Sequence, residues 1–143
     1  MDKPLTLKSN RTLRITYDLP ISKTSNFWEG LKEGKIYATK CEKCGKLHLP
    51  PVADCGDCGS SHVRWVELDG EGEIETFTQV VVKPASFSKE PSYIVAIARL
   101  KEGVKALAWL IGVERNDVKL GMKVRLVARV ASDGRVTYEF VPM

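Results

Sequence analysis

The four cysteines of this 143-residue chain all lie between residues 41 and 58, where they form two Cys-x-x-Cys pairs. Cys41 pairs with Cys44, and Cys55 pairs with Cys58. Two residues between thiolates let one tight turn present both sulfurs to a single tetrahedral ion. A glycine follows the second cysteine of each pair and tolerates the positive φ that lets the chain reverse around the sulfurs. The spacing therefore predicts a four-thiolate metal site of the zinc-ribbon type.

Zinc is the metal that this donor set favours, although iron takes the same tetrahedral thiolates and the spacing does not separate the two. Two disulfides, Cys41–Cys44 and Cys55–Cys58, are a weaker alternative, since cysteines confined to one short stretch fit a metal site in a reducing compartment. A thioredoxin-like redox pair would need a βαβ context that this sequence lacks. We therefore expect a Zn²⁺ ion with a structural role, because four thiolates leave no position open for water or substrate.

The two histidines of the chain, His48 and His62, both lie near the cysteines. Because four cysteines already complete a tetrahedron, we expect surface or packing roles for both histidines. The rest of the chain has no histidine or cysteine, which excludes a Ser–His–Asp or Cys–His arrangement there. It also lacks a phosphate loop and a dinucleotide fingerprint. These absences favour a protein that is not an independent enzyme.

The elements that must hold the cysteines follow from local patterns. The segments KIYATK and KLHLPP, which flank the first pair, alternate as short strands do. Upstream, SKTSNFWEGLKEGK predicts a short helix that Thr24 or Ser25 can cap and that Gly34 ends. Phe27 and Trp28 belong to its apolar face. That face either packs against the ribbon or forms a lid over a ligand groove.

From residue 63 onward the pattern is almost entirely strand, with about six short strands separated by glycine-containing turns. One short polar segment, DVKLG, suits a single helical turn. We therefore predict a mainly β protein with three parts: an N-terminal arm and helix over 1–35, a zinc ribbon over 36–62, and an oligonucleotide/oligosaccharide-binding (OB) barrel over 63–143. Four aromatic residues fall on the predicted strands, and for most of them core packing is the expected role: Trp65, Phe77, Tyr93 and Trp109.

Composition adds few constraints. The net charge of +4, from 22 basic and 18 acidic residues, permits an anionic partner without requiring nucleic acid. The longest apolar run, near residues 106–113, is too short for a bilayer span of roughly 20 residues, and the N-terminus lacks a signal-peptide pattern, so we expect a cytoplasmic protein. Residues 1–21 alternate weakly and form either a solvated tail or an arm that lies on a partner. Its first part carries four basic residues: Lys3, Lys8, Arg11 and Arg14.

Several stretches together resemble the family called domain of unknown function 35 (DUF35). They are FWEGLKEGKIYATKCEKCGKLHLPPVADCGDCGSS, WVELDGEGEIETFT, PSYIVAIARLKEGVKALAWLIGV and KLGMKVRLVARV, and the resemblance covers about residues 12–142. It implies an N-terminal helical segment, a rubredoxin-like zinc ribbon and a C-terminal OB barrel. Some members of the family lack the ligand cysteines, whereas this chain has all four.

The resemblance also implies a function: binding of CoA or acyl-CoA by a small, non-catalytic partner of thiolase-like enzymes. In archaea it implies a bridge between acetoacetyl-CoA thiolase and hydroxymethylglutaryl-CoA synthase in the mevalonate route. A CoA site needs cations at its mouth and an apolar wall. Chemistry near the junction of helix, ribbon and barrel suggests five candidates for such a site: Phe27, Trp28, Lys32, Lys35 and Lys83.

Two other functions stay open at this point. A zinc ribbon joined to an OB barrel also suits single-stranded nucleic acid, which would need stacking aromatic residues and a basic stripe. Acidic residues in the segment ELDGEGEIE argue against such a groove. A scaffold without any small ligand is the third possibility, because a fold does not determine a function.

Overall fold

The computed structural model describes residues 15–16, 18–131 and 134–143. It contains one α-helix, α1, and eight strands, together with two short 3₁₀ turns at Ala85–Phe87 and Arg115–Asp117. The elements are α1 (Ser25–Lys32), β1 (Ile36–Cys41), β2 (Leu47–His48), β3 (Val63–Leu68), β4 (Glu71–Val80), β5 (Tyr93–Leu100), β6 (Lys105–Leu110), β7 (Lys123–Val130) and β8 (Val136–Pro142). The predicted N-terminal arm, including its four basic residues, lies largely outside the described residues.

The strands form two sheets. A three-stranded antiparallel sheet has the order β2-β1-β3, and a closed barrel has the order β4-β5-β6-β8-β7, with β7 pairing back onto β4. The barrel strands pair antiparallel except for β6 and β8, which are parallel. The prediction of a mainly β chain with a short helix, a zinc ribbon and an OB-like barrel is therefore confirmed.

The strand β3 does not lie where the sequence pattern placed it. We expected the segment from Val63 to form the first strand of the barrel, but β3 pairs with β1 over its whole length, from Cys41 opposite Val63 to Ile36 opposite Leu68. Alternation identifies a strand but not its partner, and β1 is left with an open edge that β3 completes. The division of the chain at residues 35 and 62 stays a prediction, because strand pairing alone does not set a domain boundary.

The barrel is narrow, and small side chains fill it. Along β5 and β6 every second residue points inward, and these inward residues are alanines together with Ile94, Leu100 and Leu110. Phe140 on β8 is fully buried among them, and Val118, in the segment after the second 3₁₀ turn, is also buried in this core. The buried alanines are Ala96, Ala98, Ala106 and Ala108.

The helix α1 packs against β1 on one side and against β7 and β8 on the other. Phe27 and Leu31 are buried in this contact. Thr24 occupies the N-cap position, but its hydroxyl makes no capping hydrogen bond and donates instead to the carbonyl of Ile21. Gly34 follows the helix with φ near +79°, which ends it as predicted. One short helix thus joins the ribbon sheet to the barrel.

Gly70 lies between β3 and β4, where the chain passes from the ribbon sheet into the barrel. Its φ is +81°, and its carbonyl accepts a hydrogen bond of 2.8 Å from the Leu126 amide. A Cβ at this position would lie 2.5 Å from the Leu126 carbonyl oxygen. The backbones approach so closely here that a side chain cannot be accommodated without a shift, which fixes the entry into the barrel.

Candidate functional site

The four cysteine sulfurs lie together at one end of the three-stranded sheet. The Cys41 and Cys58 sulfurs are 3.5 Å apart, those of Cys44 and Cys55 are 3.6 Å apart, and all four fall within 4.8 Å of one another. A Zn–S bond of about 2.3 Å puts the corners of an ideal ZnS₄ tetrahedron about 3.8 Å apart. The cluster therefore has the size that a four-thiolate zinc site requires.

Two similar turns build this cluster. In each, the amide of the glycine after the second cysteine donates to the carbonyl of the first: Gly45 to Cys41 and Gly59 to Cys55, both at 2.9 Å. Both glycines have positive φ, at +77° and +69°. The first cysteine of each pair also donates its own amide to the residue five positions on, which closes the turn. These are the two knuckles that the sequence spacing predicted.

The electrostatics of the knuckles call for a cation. The backbone N–H of Cys44 lowers the pKa of the Cys41 thiol to about 6. The backbone N–H of Lys46 lowers the pKa of Cys44, but burial and the neighbouring sulfurs of Cys41 and Cys55 outweigh it and raise that pKa to about 12. The Cys41 thiol therefore loses its proton readily. The Cys44 thiol resists deprotonation, because burial and the neighbouring sulfurs disfavour a second negative charge there. A divalent ion removes this conflict, because it binds the deprotonated sulfurs directly.

Groups around the sulfurs complete the site. The His48 Nε2 lies 3.3 Å from the Cys55 sulfur, so this histidine contacts the cluster. An ion pair of 2.6 Å between Lys46 and Asp57 joins the two knuckles. The buried Thr39 hydroxyl accepts a 2.9 Å hydrogen bond from the Val52 amide, which ties the intervening loop to β1. Cysteine spacing predicts the four sulfur ligands but not the side chains that contact them, so this contact of His48 was not predictable.

A groove of about 910 Å³ lies between α1 and the barrel. It follows a split in the barrel wall. Parallel pairing of β6 with β8 joins Trp109 to Glu139 and Leu110 to Phe140, and residues 107–109 of β6 and 136–139 of β8 line the groove. Trp28 and Leu31 of α1 form one wall, and Phe87 of the first 3₁₀ turn forms part of the opposite rim.

Aromatic rings flank the groove at both sides. Phe27 makes edge contacts with Trp28 and Tyr138, with ring centroids 5.2 and 6.0 Å apart. Across the groove Tyr93 and Trp109 stack with centroids 4.3 Å apart, and Phe87 lies within 6.2 Å of both. These contacts hold the groove rims in place and make its walls largely apolar.

Two of the four strand aromatics do not lie where the sequence pattern placed them. Trp65 and Phe77 pack against the core as expected. For Tyr93 and Trp109 the expectation was wrong, because their neighbours Ile94, Ala108 and Leu110 point inward and place these two rings on the outer face. On β5 and β6 the alanines occupy the interior, and the rings of Tyr93 and Trp109 lie outside.

Charge in the groove is concentrated at the β7–β8 end. Arg129 and Arg135 both line it. The Arg129 Nη1 donates to both carboxylate oxygens of Glu139 at 2.9 Å, and the Glu139 side chain is only 7% exposed while that of Arg129 is 54% exposed. Burial also raises the pKa of Tyr138, another lining residue. The groove thus combines apolar walls with two guanidinium groups, one of which is held by a buried carboxylate.

The five predicted ligand residues are distributed unevenly around this groove. Trp28 lines it, and Phe27 lies buried beneath the same wall. Lys83 donates to the carbonyl of Glu90, which lines the groove. Lys32 pairs with Glu29 at 2.9 Å and Lys35 lies 4.0 Å from Glu67, and neither lines the groove. Their part in ligand binding stays a prediction. Sequence reasoning missed the lining residues on the barrel: Phe87, Leu107, Trp109, Arg129, Arg135 and Tyr138.

A second cavity, of about 510 Å³, lies beside β4 on the barrel. Its lining mixes carboxylates with cations, and several of these are already paired, as Arg99 is with Glu75 and Lys101 with Glu71. Lys105, which does not line the cavity, also pairs with Glu75. The pairing lowers the pKa of Glu75, with Lys105 as the largest contributor. Three glutamates in one wall disfavour a phosphate-bearing ligand, so the helix–barrel groove is the stronger candidate.

In the part of the chain that the structure describes, no helix is both long and apolar enough to cross a bilayer.

Fold and sulfur cluster together define a zinc ribbon joined to an OB barrel, and comparison with known families agrees. Residues 28–64 match the family model described as the rubredoxin-like zinc ribbon domain of ChsH2, and residues 65–129 match that of the ChsH2 C-terminal OB-fold domain. A Pyrococcus furiosus protein named DUF35 domain-containing scaffold protein is 32% identical over 121 residues, which cover 81% of this chain and 88% of that protein. The chain belongs to the DUF35 family.

Two further similarities are to proteins whose names include an enzyme. A protein of Thermomonospora curvata named probable enoyl-CoA hydratase alpha subunit is 31% identical over 107 residues, which cover 74% of this chain but 33% of that protein. A solved structure of an aldolase named Ltp2-ChsH2(DUF35) matches with a TM-score of 0.73 and 25% identity, covering 90% of this chain and 98% of that chain. The resemblance to DUF35 and the expectation of a zinc ribbon are thereby confirmed.

Proposed function

We propose that this DUF35 protein is a non-catalytic accessory protein that binds CoA or acyl-CoA in the helix–barrel groove and presents it to a partner enzyme. The observation that carries the proposal is the groove itself, in which aromatic and aliphatic walls lead to two guanidinium groups. Apolar walls suit an acyl or pantetheine chain, and guanidinium groups suit the phosphates of CoA. The enzyme-subunit name of a relative, which mentions a CoA ester, supports the same ligand class.

A non-catalytic role is supported by the chemistry of the groove. Among the described residues that line it, the ionisable side chains are Glu90, Arg129, Arg135, Tyr138 and Glu139. Glu139 is held on both oxygens by Arg129, which is unsuited to a carboxylate that must exchange a proton with a substrate. The name scaffold protein given to a relative agrees with this role.

The proposed zinc ion, held by Cys41, Cys44, Cys55 and Cys58, has a structural role. A closed set of four thiolates offers no coordination position to a substrate, and the binding of the ion stabilises a stretch with little apolar core of its own. The ribbon then supports α1, which packs between β1 and the barrel and carries one wall of the groove.

The proposed partner is an enzyme of CoA esters, such as a thiolase or hydroxymethylglutaryl-CoA synthase. Three apolar side chains at the groove rim are unusually exposed: Trp28 at 37%, Phe87 at 38% and Leu107 at 59%. Val81 and Val82 add exposed apolar area just after β4. An apolar rim around a ligand groove suits docking against a second protein that shares the ligand. Co-purification of the chain with both enzymes, followed by size-exclusion chromatography, tests this partner.

The ligand is tested by calorimetric titration of the zinc-loaded chain with CoA. We expect binding, with affinity reduced about tenfold by Trp28→Ala, a typical loss for an aromatic anchor at a binding site. Leu120→Ala is the matched control, since Leu120 is 68% exposed and does not line the groove. Unchanged CoA binding by Trp28→Ala would contradict the placement of the ligand. The double variant Lys32→Ala/Lys35→Ala tests those two assignments separately, and unchanged affinity would remove both from the site.

Single-stranded nucleic acid is the alternative ligand, and one observation favours it: Tyr93 and Trp109 lie on the outer face of the barrel. The surroundings do not support it further. The two rings stack on each other, and the outward cations of β5 and β6, Arg99 and Lys105, are both paired with Glu75. A stacking platform without an available basic stripe binds a phosphate backbone weakly. Tight, salt-sensitive binding of an oligothymidine together with absent CoA binding would favour this alternative over our proposal.

A further inference from the structure

We propose that the pantetheine arm of CoA enters the split between β6 and β8 as a strand-like segment and bonds through its amides to the backbone of Leu107 and Val136. This inference rests on the proposed function, since it needs CoA to bind in the groove. The proposed subsite for the arm consists of main-chain groups, which no side-chain pattern in the sequence reveals.

The backbone N–H and C=O groups of β6 point alternately toward β5 and away from it. The Leu100 amide donates to the Val104 carbonyl at 2.8 Å, which starts the ladder between β5 and β6. Backbone groups of an antiparallel pair bond across the ladder at every second residue. The groups of the even-numbered residues of β6 therefore face β5. Those of Leu107 and Trp109 face the other way, toward β8.

The backbone groups of β8 alternate in the same way, between β6 and β7. The Ile111 amide donates to the Phe140 carbonyl at 3.0 Å, so the backbone groups of Phe140 face β6. The amide of Leu126, its partner on β7, donates instead to Gly70, which agrees with a pair that is not hydrogen-bonded across β7 and β8. Counting back in steps of two, Tyr138 and Val136 also direct their backbone groups toward β6.

The strands β6 and β8 separate before the backbone groups of Leu107 and Val136 can meet. Within the described residues, pairing of β6 with β8 covers Trp109 and Leu110 opposite Glu139 and Phe140. Leu107 and Val136 both line the groove, upstream of that pairing. Their N–H and C=O groups therefore border the groove on its two sides. An extended chain that carries amides can form hydrogen bonds with main-chain groups that are exposed at a strand edge.

A pantetheine arm is a narrow, extended chain with two secondary amides, each of which offers one donor and one acceptor in the manner of a peptide. Leu107, Ala108 and Val136 offer apolar surface to the methylenes between those amides. At the β7–β8 end of the groove Arg129 and Arg135 offer guanidinium groups to the phosphates, which would set the direction of the arm.

Amide hydrogen exchange measured by NMR on the zinc-loaded chain tests the subsite. Saturating CoA is expected to slow exchange of the Leu107 and Val136 amides at least about tenfold, since a solvent-facing N–H becomes hydrogen-bonded. The amides of Ala106 and Ala108, which face β5, are the internal controls and should change little. The fragment 4′-phosphopantetheine should reproduce the slowing, whereas 3′,5′-ADP should not. CoA binding without slower exchange at Leu107 and Val136 would overturn the inference and leave the proposed function standing. Absence of CoA binding would overturn both.

A variant pair provides a second readout. Leu107→Pro removes an N–H that faces the split and leaves the ladder to β5 intact, because that ladder uses the neighbouring residues. Leu107→Ala removes the side chain but keeps the N–H. We expect Leu107→Pro to bind CoA about five- to tenfold more weakly than Leu107→Ala, as for the loss of one hydrogen bond. Equal affinities for CoA in two folded variants would count against the subsite. If Leu107→Pro does not fold, the exchange measurement decides alone.

Discussion

Three glycines of this chain allow backbone strain and steric contact to be separated experimentally. Gly103 has φ +89° and open space around its Cβ position. Gly72 has no such φ, but a Cβ there would lie 2.5 Å from the Arg99 carbonyl oxygen. Gly70 combines both conditions, with φ +81° and 2.5 Å to the Leu126 carbonyl oxygen. Alanine at the three positions therefore tests strain alone, contact alone, and both together.

The expected magnitudes follow from these distances. A positive φ lowers the free energy of unfolding of an alanine variant by about 1–2 kcal/mol. The replacement of glycine also reduces the conformational freedom of the unfolded chain, which raises that free energy by about 0.4–1 kcal/mol. Overpacking against an immobile backbone atom costs about 1–3 kcal/mol. Gly103→Ala should then lower the free energy of unfolding by about 0.5–1 kcal/mol, and Gly70→Ala by about 2–4 kcal/mol. For a chain of this size the latter corresponds to a Tm lowered by roughly 6–15 °C.

Urea unfolding of the zinc-loaded variants, followed by tryptophan fluorescence, measures these differences. Gly72→Ala should fall between the other two variants, and all three should bind the same amount of zinc, because none of these glycines lies in a knuckle. A Gly70→Ala variant that is no less stable than Gly103→Ala would refute the reasoning. It would mean that the entry of the chain into the barrel is more compliant than the structure indicates.

The remaining predictions concern charge and metal. Arg129→Ala should lower the free energy of unfolding by about 1–3 kcal/mol, because it leaves a buried carboxylate unpaired. Arg125→Ala breaks an exposed pair and should lower it by at most about 1 kcal/mol. Equal losses of the two variants in urea unfolding would contradict this. His48→Ala should release zinc to a chromophoric chelator about tenfold or more faster than wild type, since the imidazole lies beside a thiolate, and His62→Ala, whose side chain is exposed, should behave as wild type. Wild-type chain should carry one zinc ion by elemental analysis, and Cys58→Ala should lose both the ion and the folded ribbon; a metal-free wild-type chain with an intact fold would be the contrary result.

Local structure was predictable from the sequence where the residue types at a few neighbouring positions determine a turn, a helix end or a strand. The two knuckles follow from cysteine spacing with glycine after each pair, and both glycines adopt the expected positive φ. The end of α1 at Gly34 and the alternation of β5 and β6 follow in the same way. In each case the information lies within a few consecutive residues.

Pairing between distant segments was not predictable by the same means. Nothing in VRWVEL distinguishes a ribbon strand from a barrel strand, since the choice depends on the open edge of β1. The outward position of Trp109 depends on how narrow the barrel is, and the groove depends on where β6 and β8 separate. The family resemblance implied the proposed ligand class, but it did not place Arg129 or Leu107 at the groove.

The central claim is that CoA binds between α1 and the split barrel wall, and a crystal structure of the zinc-loaded chain with CoA tests it most directly. We expect CoA in the groove, with its chain between Leu107 and Val136 and its phosphates near Arg129 and Arg135. CoA located instead in the cavity beside β4, or a crystal grown in saturating CoA with an empty groove, would contradict it.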